Sequence, residues 1–278
     1  MDLEITDFHT HIFEDSLAPR ARASLENAAA GLYKPFHDMT LAGLLESMDR
    51  AGIHRSVVLP VVTKRSQTEK VCEWAASIES ERITSFGGIY PLADDYREQI
   101  DFVCSLGLKG IKFHAEYQNF VLDDERMLKV YDHAFEKGLI VIHHAGFDPA
   151  FPAPFKTSPR QFARVTRELK GGVMVAAHLG GQKQWEDVER YLAGEDIYLD
   201  TSMGFGYYGK EQFMRILKIH GADRMLFATD SPWSDQKSEL ALFEELEIPD
   251  VDKEKILCGN AKRVLGEGYT PVAGCVGR

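Results

Sequence analysis

Short apolar segments alternate with longer amphipathic segments along the whole chain, and this pattern predicts eight β-strands. Several apolar segments have no polar position, as in residues 139–142 and 173–177, which is typical of strands covered on both faces of a sheet. The predicted strands span residues 3–9, 56–62, 84–90, 110–114, 139–144, 173–178, 197–201 and 225–230.

Segments with apolar residues at helical spacing lie between the strands. The first of them starts at Thr40, carries Leu41, Leu44 and Leu45 on one side, and ends before Gly52. The predicted helices span residues 40–51, 67–80, 95–105, 124–137, 158–169, 184–192, 210–220, 237–245 and 253–265.

Eight strands that alternate with helices predict a parallel α/β fold, because parallel strands need long crossover connections. A doubly wound open sheet and a (β/α)8 barrel both have this order, and eight units over roughly 265 residues favour the barrel. No Gly-x-Gly-x-x-Gly follows a strand, which weakens a dinucleotide-binding interpretation. We therefore predict a single (β/α)8 TIM-barrel domain over residues 1–278, with residues 266–278 as a tail.

Three connections that follow strand ends are unusually long or aromatic, namely residues 13–39, 147–159 and 203–209. Long loops inside a compact domain are commonly binding loops or lids, although surface decoration is the alternative. In a barrel they would lie on the C-terminal face, where active sites are built.

Composition limits the partners and the compartment. A formal net charge of −11 argues against binding to nucleic acid or to an anionic membrane. No apolar run approaches the ~18 residues of a membrane-spanning helix, and the acidic start of the chain does not look like a secretory signal. The four cysteines form no CxxC pair, which indicates free thiols in a reducing cytoplasm. We expect a cytoplasmic protein with a small-molecule substrate, and homo-oligomerisation is open.

The first strand ends in the sequence Asp7-Phe8-His9-Thr10-His11. Residues two apart on a strand point to the same face, so His9 and His11 can bind one metal ion together. Asp7 lies deeper on that face, where it would orient a ligand rather than bind the metal.

Other predicted strands also end in polar residues, which are Lys112, His114, His143, His144, His178 and Asp230. The ends of the strands converge on one cavity if the fold is a barrel. Histidine nitrogens with a carboxylate suit a divalent transition metal, and zinc is the first choice. Burial of so many unpaired polar groups would otherwise cost several kcal/mol each, on the order of the penalty for unsatisfied groups.

Taken together, these stretches resemble the amidohydrolase superfamily, in particular the amidohydrolase-related group called amidohydrolase family 2. The matching stretches are residues 7–11, 110–114, 142–146, 177–181 and 228–232, in the order of the family. The resemblance implies a (β/α)8 barrel with one bound metal, usually zinc. Members hydrolyse amides, esters or lactones, and some decarboxylate aromatic or unsaturated acids.

The resemblance also implies roles for particular residues. It assigns His9, His11, His144 and Asp230 to the metal, where His144 is preferred to His143 because His144-Ala-Gly matches the His-x-Gly of the family. Asp230 would in addition be the catalytic base for a metal-activated water. His178 would be the second catalytic residue and polarise the substrate carbonyl.

The remaining predictions concern the substrate. Lys112 and His114 share one strand face and are predicted to contact it, and Trp233 is predicted to line the pocket. Carboxylation of Lys112 as a bridge between two metals, which occurs in binuclear relatives, is an alternative. We predict a metal-dependent hydrolase of an amide, ester or lactone. A decarboxylase with the same metal site is the alternative, and a non-catalytic metal-binding barrel is the third reading.

Overall fold

The computed structural model describes residues 3–267, and it contains eight short parallel strands in the predicted order. Each strand overlaps its predicted segment, and all eight are shorter than predicted. The strands are β1 (Thr6–Thr10), β2 (Arg55–Val58), β3 (Ile83–Ser85), β4 (Gly110–Phe113), β5 (Ile140–His143), β6 (Met174–Ala176), β7 (Tyr198–Asp200) and β8 (Met225–Leu226).

Backbone hydrogen bonds join these strands into a barrel. Strands β1–β3 form one parallel sheet and β4–β8 a second. Between β3 and β4, the Gly87 N–H donates to the Gly110 carbonyl (2.8 Å). Between the last and first strands, the Asp230 N–H donates to the His9 carbonyl (2.8 Å). The eight strands thus follow one another in sequence order, which confirms the (β/α)8 prediction.

Helices follow the strands, and the helix that starts after Thr40 has both of the predicted end signals. The Thr40 hydroxyl accepts a hydrogen bond from the Gly43 N–H (3.0 Å), and Gly52 ends this helix with a left-handed φ of 71°. The helices are α1 (Ala18–Ala28), α2 (Leu41–Ala51), α3 (Thr68–Ser77), α4 (Tyr96–Ser105), α5 (Ala115–Gln118), α6 (Glu125–Glu136), α7 (Pro159–Glu168), α8 (Trp185–Asp187), α9 (Phe205–His220), α10 (Gln236–Glu244), α11 (Asp250–Glu254) and α12 (Asn260–Val264).

Two of the segments predicted as loops contain helices. Helix α1 lies within residues 13–39, and α9 begins at Phe205, within residues 203–209. Helix α1 buries only Ala18 among its residues, so it has little of the apolar periodicity that reveals a helix. Its one signal is Pro19 in the first turn, a position that proline favours.

The predicted tail, residues 266–278, lies outside the described residues except for its first two positions. Within residues 3–267, no helix has both the length and the hydropathy that crossing a bilayer requires.

Side-chain alternation on β5 separates the inside of the barrel from the helix layer. Ile140 and Ile142 belong to the interior apolar cluster, and His144 continues their face. His143 points the other way and stacks on Phe113, with 5.1 Å between ring centroids. Of the two adjacent histidines, the one preferred in the sequence is therefore on the cavity side.

Asp7 connects the first strand to the segment that follows β8. Its carboxylate accepts hydrogen bonds from the His9 N–H (3.2 Å), the Thr229 N–H (3.0 Å), the Thr229 hydroxyl (2.5 Å) and the Gln236 amide (2.8 Å). Complete burial raises the pKa of Asp7 to about 6. Asp7 thus fixes the backbone around the site and does not touch a histidine ring.

We predict that Asp7→Ala lowers the free energy of unfolding by about 3 kcal/mol, because buried donors lose their acceptor. The measurement is urea denaturation. The control Asp235→Ala removes an exposed capping carboxylate, which accepts from the Ser238 N–H, and should cost only about 1 kcal/mol. Equal losses in the two variants would contradict the proposed connection.

Candidate metal centre

Three ligand atoms converge at the junction of the first and last strands. His9 Nε2 lies 3.1 Å from His11 Nε2 and 3.4 Å from Asp230 Oδ1, and His11 Nε2 lies 3.2 Å from the same oxygen. The backbone of Asp230 is left-handed, with φ 66°, and such strained residues cluster at functional sites. Three of the four predicted metal ligands therefore meet at one point.

The outer nitrogen of each ring faces an oxygen that can only accept a hydrogen bond, and His9 Nδ1 also lies 3.2 Å from the Ser202 hydroxyl. His9 Nδ1 donates to Asp200 Oδ2 (2.8 Å), and His11 Nδ1 donates to the Leu59 carbonyl (2.9 Å). Burial and nearby Lys112 hold the pKa of His9 well below its usual range, so the ring is neutral. His9 Nε2 therefore carries a lone pair, and His11 Nε2 carries one whenever that ring is neutral.

This arrangement fits a divalent metal. Two imidazole lone pairs and a carboxylate oxygen repel one another at 3.1–3.4 Å unless a cation lies among them. Neutral histidines whose other nitrogen is held by a carboxylate or a carbonyl are typical metal ligands. His9, His11 and Asp230 would hold such an ion.

Lys112 contacts the centre from β4. Its Nζ is 3.0 Å from His9 Nε2, and the side chain is almost completely buried. Burial lowers the pKa of this amine to about 8, and the carboxylates of Asp200 and Asp230 oppose that shift. Lys112 thus lies at the metal centre, in addition to lining the cavity.

His144, the fourth predicted ligand, lies next to this group rather than within it. Its Nδ1 is 3.0 Å from His178 Nε2, and its ring stacks on His114 at 4.2 Å. Donor atoms of His114, His144 and Asp148 form a second compact group, in which His114 Nε2 is 3.1 Å from Asp148 Oδ2. His178 joins the two groups, because its Nδ1 contacts Ser202 Oγ (2.9 Å), which in turn lies 3.2 Å from His9 Nδ1.

Glycine is required beside this second group. Gly146 has a φ of 84°, and a Cβ at that position would lie 2.5 Å from the Gln182 carbonyl oxygen. The close approach packs the end of β5 against the segment after β6, where His178 itself has a φ of 57°. His144 and His178 are thereby brought within hydrogen-bonding distance.

A cavity of about 510 Å³ opens above the centre. Eight residues singled out in the sequence line it, and they are His9, His11, Lys112, His114, His144, His178, Asp230 and Trp233. Each of the three long connections contributes to the wall, for example Tyr33, Phe147 and Met203. Helix α3 contributes Trp74 and Lys70, which the sequence had not indicated.

Sequence reasoning missed Asp200, Ser202 and Asp148. Asp200 is the last residue of β7, so the rule that found the other strand-end residues would have found it too. Ser202 and Asp148 lie in loops, where no periodicity marks them.

A sequence profile of the amidohydrolase family matches residues 6–266, which is nearly the whole chain. The chain belongs to the amidohydrolase family. Comparison of this amidohydrolase with curated proteins gave no match.

Solved structures of similar fold include both uncharacterised proteins and decarboxylases. An uncharacterised TIM-barrel protein from Bordetella bronchiseptica has a TM-score of 0.76 and 24% identity over 95% of this amidohydrolase and 99% of that chain. A second is a 5-carboxyvanillate decarboxylase from Novosphingobium aromaticivorans, complexed with manganese and 4-hydroxy-3-methoxy-5-nitrobenzoic acid. Its TM-score is 0.72, and its sequence identity is 15% over 95% of this amidohydrolase and 96% of that chain. A 2,6-dihydroxybenzoate decarboxylase from Rhizobium has a TM-score of 0.68 and 16% identity over 95% of this amidohydrolase and 99% of that chain.

We predict that the purified amidohydrolase carries about one tightly bound divalent ion per chain, measured by elemental analysis of protein never exposed to chelator. The double variant His9→Ala, His11→Ala should lose the ion because two of the three converging ligands are gone. His54→Ala, which changes an exposed histidine, is the control and should keep it. An ion content that is the same in both variants would exclude this centre.

Proposed function

We propose that this amidohydrolase is a metal-dependent enzyme that decarboxylates a small aromatic or unsaturated carboxylic acid without oxidation. The observation that carries the proposal is a cavity with aromatic walls that ends on the His–Asp centre. The aromatic residues in the wall are Phe13, Tyr33, Trp74, Tyr117, Phe147 and Trp233. The decarboxylases of similar fold support the same choice.

The hydrogen bonds of His178 weaken the hydrolase mechanism predicted from the sequence, in which this residue polarises the substrate carbonyl. Its Nδ1 contacts Ser202 Oγ (2.9 Å) and its Nε2 contacts His144 Nδ1 (3.0 Å), so both ring nitrogens already have protein partners. To polarise a substrate carbonyl, His178 would have to release one of them. Decarboxylation does not need such a donor.

The residues of the centre would divide the work as follows. His9, His11 and Asp230, with His144 as a proposed fourth ligand, would hold the ion, which when bound would act as a Lewis acid toward the substrate carboxylate or a neighbouring hydroxyl. The bond to the carboxyl carbon breaks, CO₂ leaves, and the electron pair stays on the substrate carbon. Asp230 delivers a proton to that carbon and regains one from solvent. Burial raises the pKa of Asp230, and His11 and Lys112 beside it oppose that shift.

Lys112 fits the predicted role in substrate binding. His9 Nε2 has one lone pair, so a bond to a metal and the hydrogen bond from Lys112 exclude each other at that atom. When His9 binds an ion, the Lys112 ammonium needs another acceptor, and a substrate carboxylate in the cavity would supply it. His114, which also lines the cavity, is the second proposed contact.

Hydrolysis of an amide, ester or lactone is the second candidate, and the position of Asp230 favours it. Its Oδ1 lies within 3.4 Å of both His9 Nε2 and His11 Nε2. A water held at the same point would be within reach of this carboxylate, which could take its proton and pass it to a leaving group. The third reading, a non-catalytic barrel, predicts no turnover with any substrate.

The deciding experiment offers the protein a mixed panel of aromatic and unsaturated carboxylic acids, lactones and amides. We expect CO₂ release from at least one acid and no ring opening or amide cleavage. Asp230→Asn should remain folded by circular dichroism and lose activity by at least about 100-fold, because it cannot carry the proton. Lactone or amide hydrolysis without CO₂ release would overturn the decarboxylase in favour of the second candidate.

An arginine at the cavity supports an anionic substrate. Arg20 in α1 lines the cavity and has no carboxylate partner among residues 3–267. The nearby Lys70 is paired with Glu14 at 3.1 Å. In a chain of net charge −11, an unpaired guanidinium at the cavity would offset the repulsion of an anion.

We predict that Arg20→Ala raises KM about 5- to 10-fold with little change in kcat, because a charge-assisted contact remote from the reacting carbon is lost. Steady-state kinetics with the substrate found in the panel give both values. Arg22→Ala is the matched control, since Arg22 pairs with Glu26 and does not line the cavity. Equal KM values for the two variants would exclude the contact.

Three further attributes stay predictions. They are zinc as the bound ion, a cytoplasmic location and assembly into a homo-oligomer. Manganese accompanies two of the solved structures of similar fold, so elemental analysis must cover both metals.

A further inference from the structure

Asp200 accepts four hydrogen bonds beside the metal centre, although the sequence analysis did not single it out. It ends β7, and none of its surface is exposed. One oxygen accepts from His9 Nδ1 (2.8 Å), and the other accepts from the backbone N–H groups of His178 (2.9 Å) and Ser202 (3.0 Å) and from the Ser202 hydroxyl. An ionised carboxylate only accepts hydrogen bonds, so every proton in these contacts belongs to the partner.

The protonation site of His9 follows from two independent contacts. Asp200 requires a proton on His9 Nδ1. Lys112 can only donate, so its 3.0 Å contact requires a lone pair on His9 Nε2. Both contacts select the same tautomer, which is the one that binds a metal through Nε2.

The hydrogen bonds of Ser202 determine the protonation sites of two more histidines, His178 and His144, in the same way. The single hydroxyl proton of Ser202 goes to Asp200, so the Ser202 oxygen accepts from His178 Nδ1 (2.9 Å). His178 Nε2 then carries a lone pair and accepts from His144 Nδ1 (3.0 Å). His144 Nε2 is left unprotonated. It is also buried and has no hydrogen-bond partner among the described residues.

We propose that Asp200 is a positioning residue that fixes the tautomer of His9, and that Ser202, which Asp200 holds, and the carbonyl of residue 202 together fix the tautomers of His178 and His144. The outcome is that His9 and His144 each present an unprotonated Nε2, while His178 has no free nitrogen and acts as the link. This inference rests on the proposed metal centre and not on the reaction that the centre performs.

The test compares Asp200→Asn with Ser202→Ala. In Asp200→Asn the side-chain oxygen should face the three donors near Ser202, which turns the amide N–H₂ toward His9 Nδ1. His9 must then carry its proton on Nε2. We expect the affinity for Zn²⁺ or Mn²⁺, measured by competition with a chromophoric chelator, to fall by about 10- to 100-fold.

Ser202→Ala is the matched control. His178 Nδ1 keeps the carbonyl of residue 202 as an acceptor (3.3 Å), and His9 keeps Asp200, so the tautomers should persist. We expect metal affinity within about threefold of the wild type. A purely structural role for Asp200 would instead lower the thermal stability of Asp200→Asn without changing the affinity of the folded protein, and that result would overturn the proposal.

A direct measurement on the unaltered protein keeps the proposal testable if Asp200→Asn does not fold. Nitrogen-15 spectra of the metal-free wild type, with His9 and His144 assigned by single substitution, report which ring nitrogen carries the proton. We expect Nδ1–H at both residues. A proton on Nε2 of either one would overturn the inference, whatever reaction the enzyme catalyses.

Discussion

The repulsion among three hydrogen-bond acceptors at the junction of β1 and β8 is the constraint on which the rest of the site depends. His9 Nε2, His11 Nε2 and Asp230 Oδ1 approach within 3.1–3.4 Å, at a point where closure of the barrel brings together opposite ends of the chain. Hydrogen bonds on the far side of the two rings hold them in this position: His9 donates to Asp200, and His11 donates to the Leu59 carbonyl. A cation turns the same repulsion into attraction, which is why the arrangement indicates a metal site.

Much of this could be predicted from the sequence. The alternation of apolar and amphipathic segments predicts the order of all eight strands, because each parallel strand is buried on both faces. His9 and His11 were found from their spacing on one strand face, and Asp230 from the rule that the strand ends of a barrel converge. Helix α1 was missed because only Ala18 is buried, so a covering helix leaves almost no periodic signal.

The rest depended on three-dimensional detail that spacing does not encode. The alternation of polar and apolar residues could not tell which of His143 and His144 faces the cavity, because residues 139–142 are all apolar. The stacking of His143 on Phe113 shows that His143 faces the helix layer. The direction of each hydrogen bond follows from which neighbour can donate, and those neighbours lie on other strands. Asp200 is an example: the sequence places it at the end of a strand, but nothing in the sequence predicts its hydrogen bond with His9.

The choice between the two candidate reactions depends on which groups in the cavity still have a free donor or acceptor. His178 is occupied on both nitrogens, so the residue expected to polarise a carbonyl is held in the hydrogen-bonded chain instead. Among residues 3–267, the cationic groups that line the cavity without a carboxylate partner are Lys112 and Arg20, and both suit a carboxylate better than a neutral ester or amide. A wall rich in aromatic rings adds a preference for a flat substrate, because rings stack on rings. The polar and apolar parts of the cavity thus favour the same class of molecule, an aromatic or unsaturated acid.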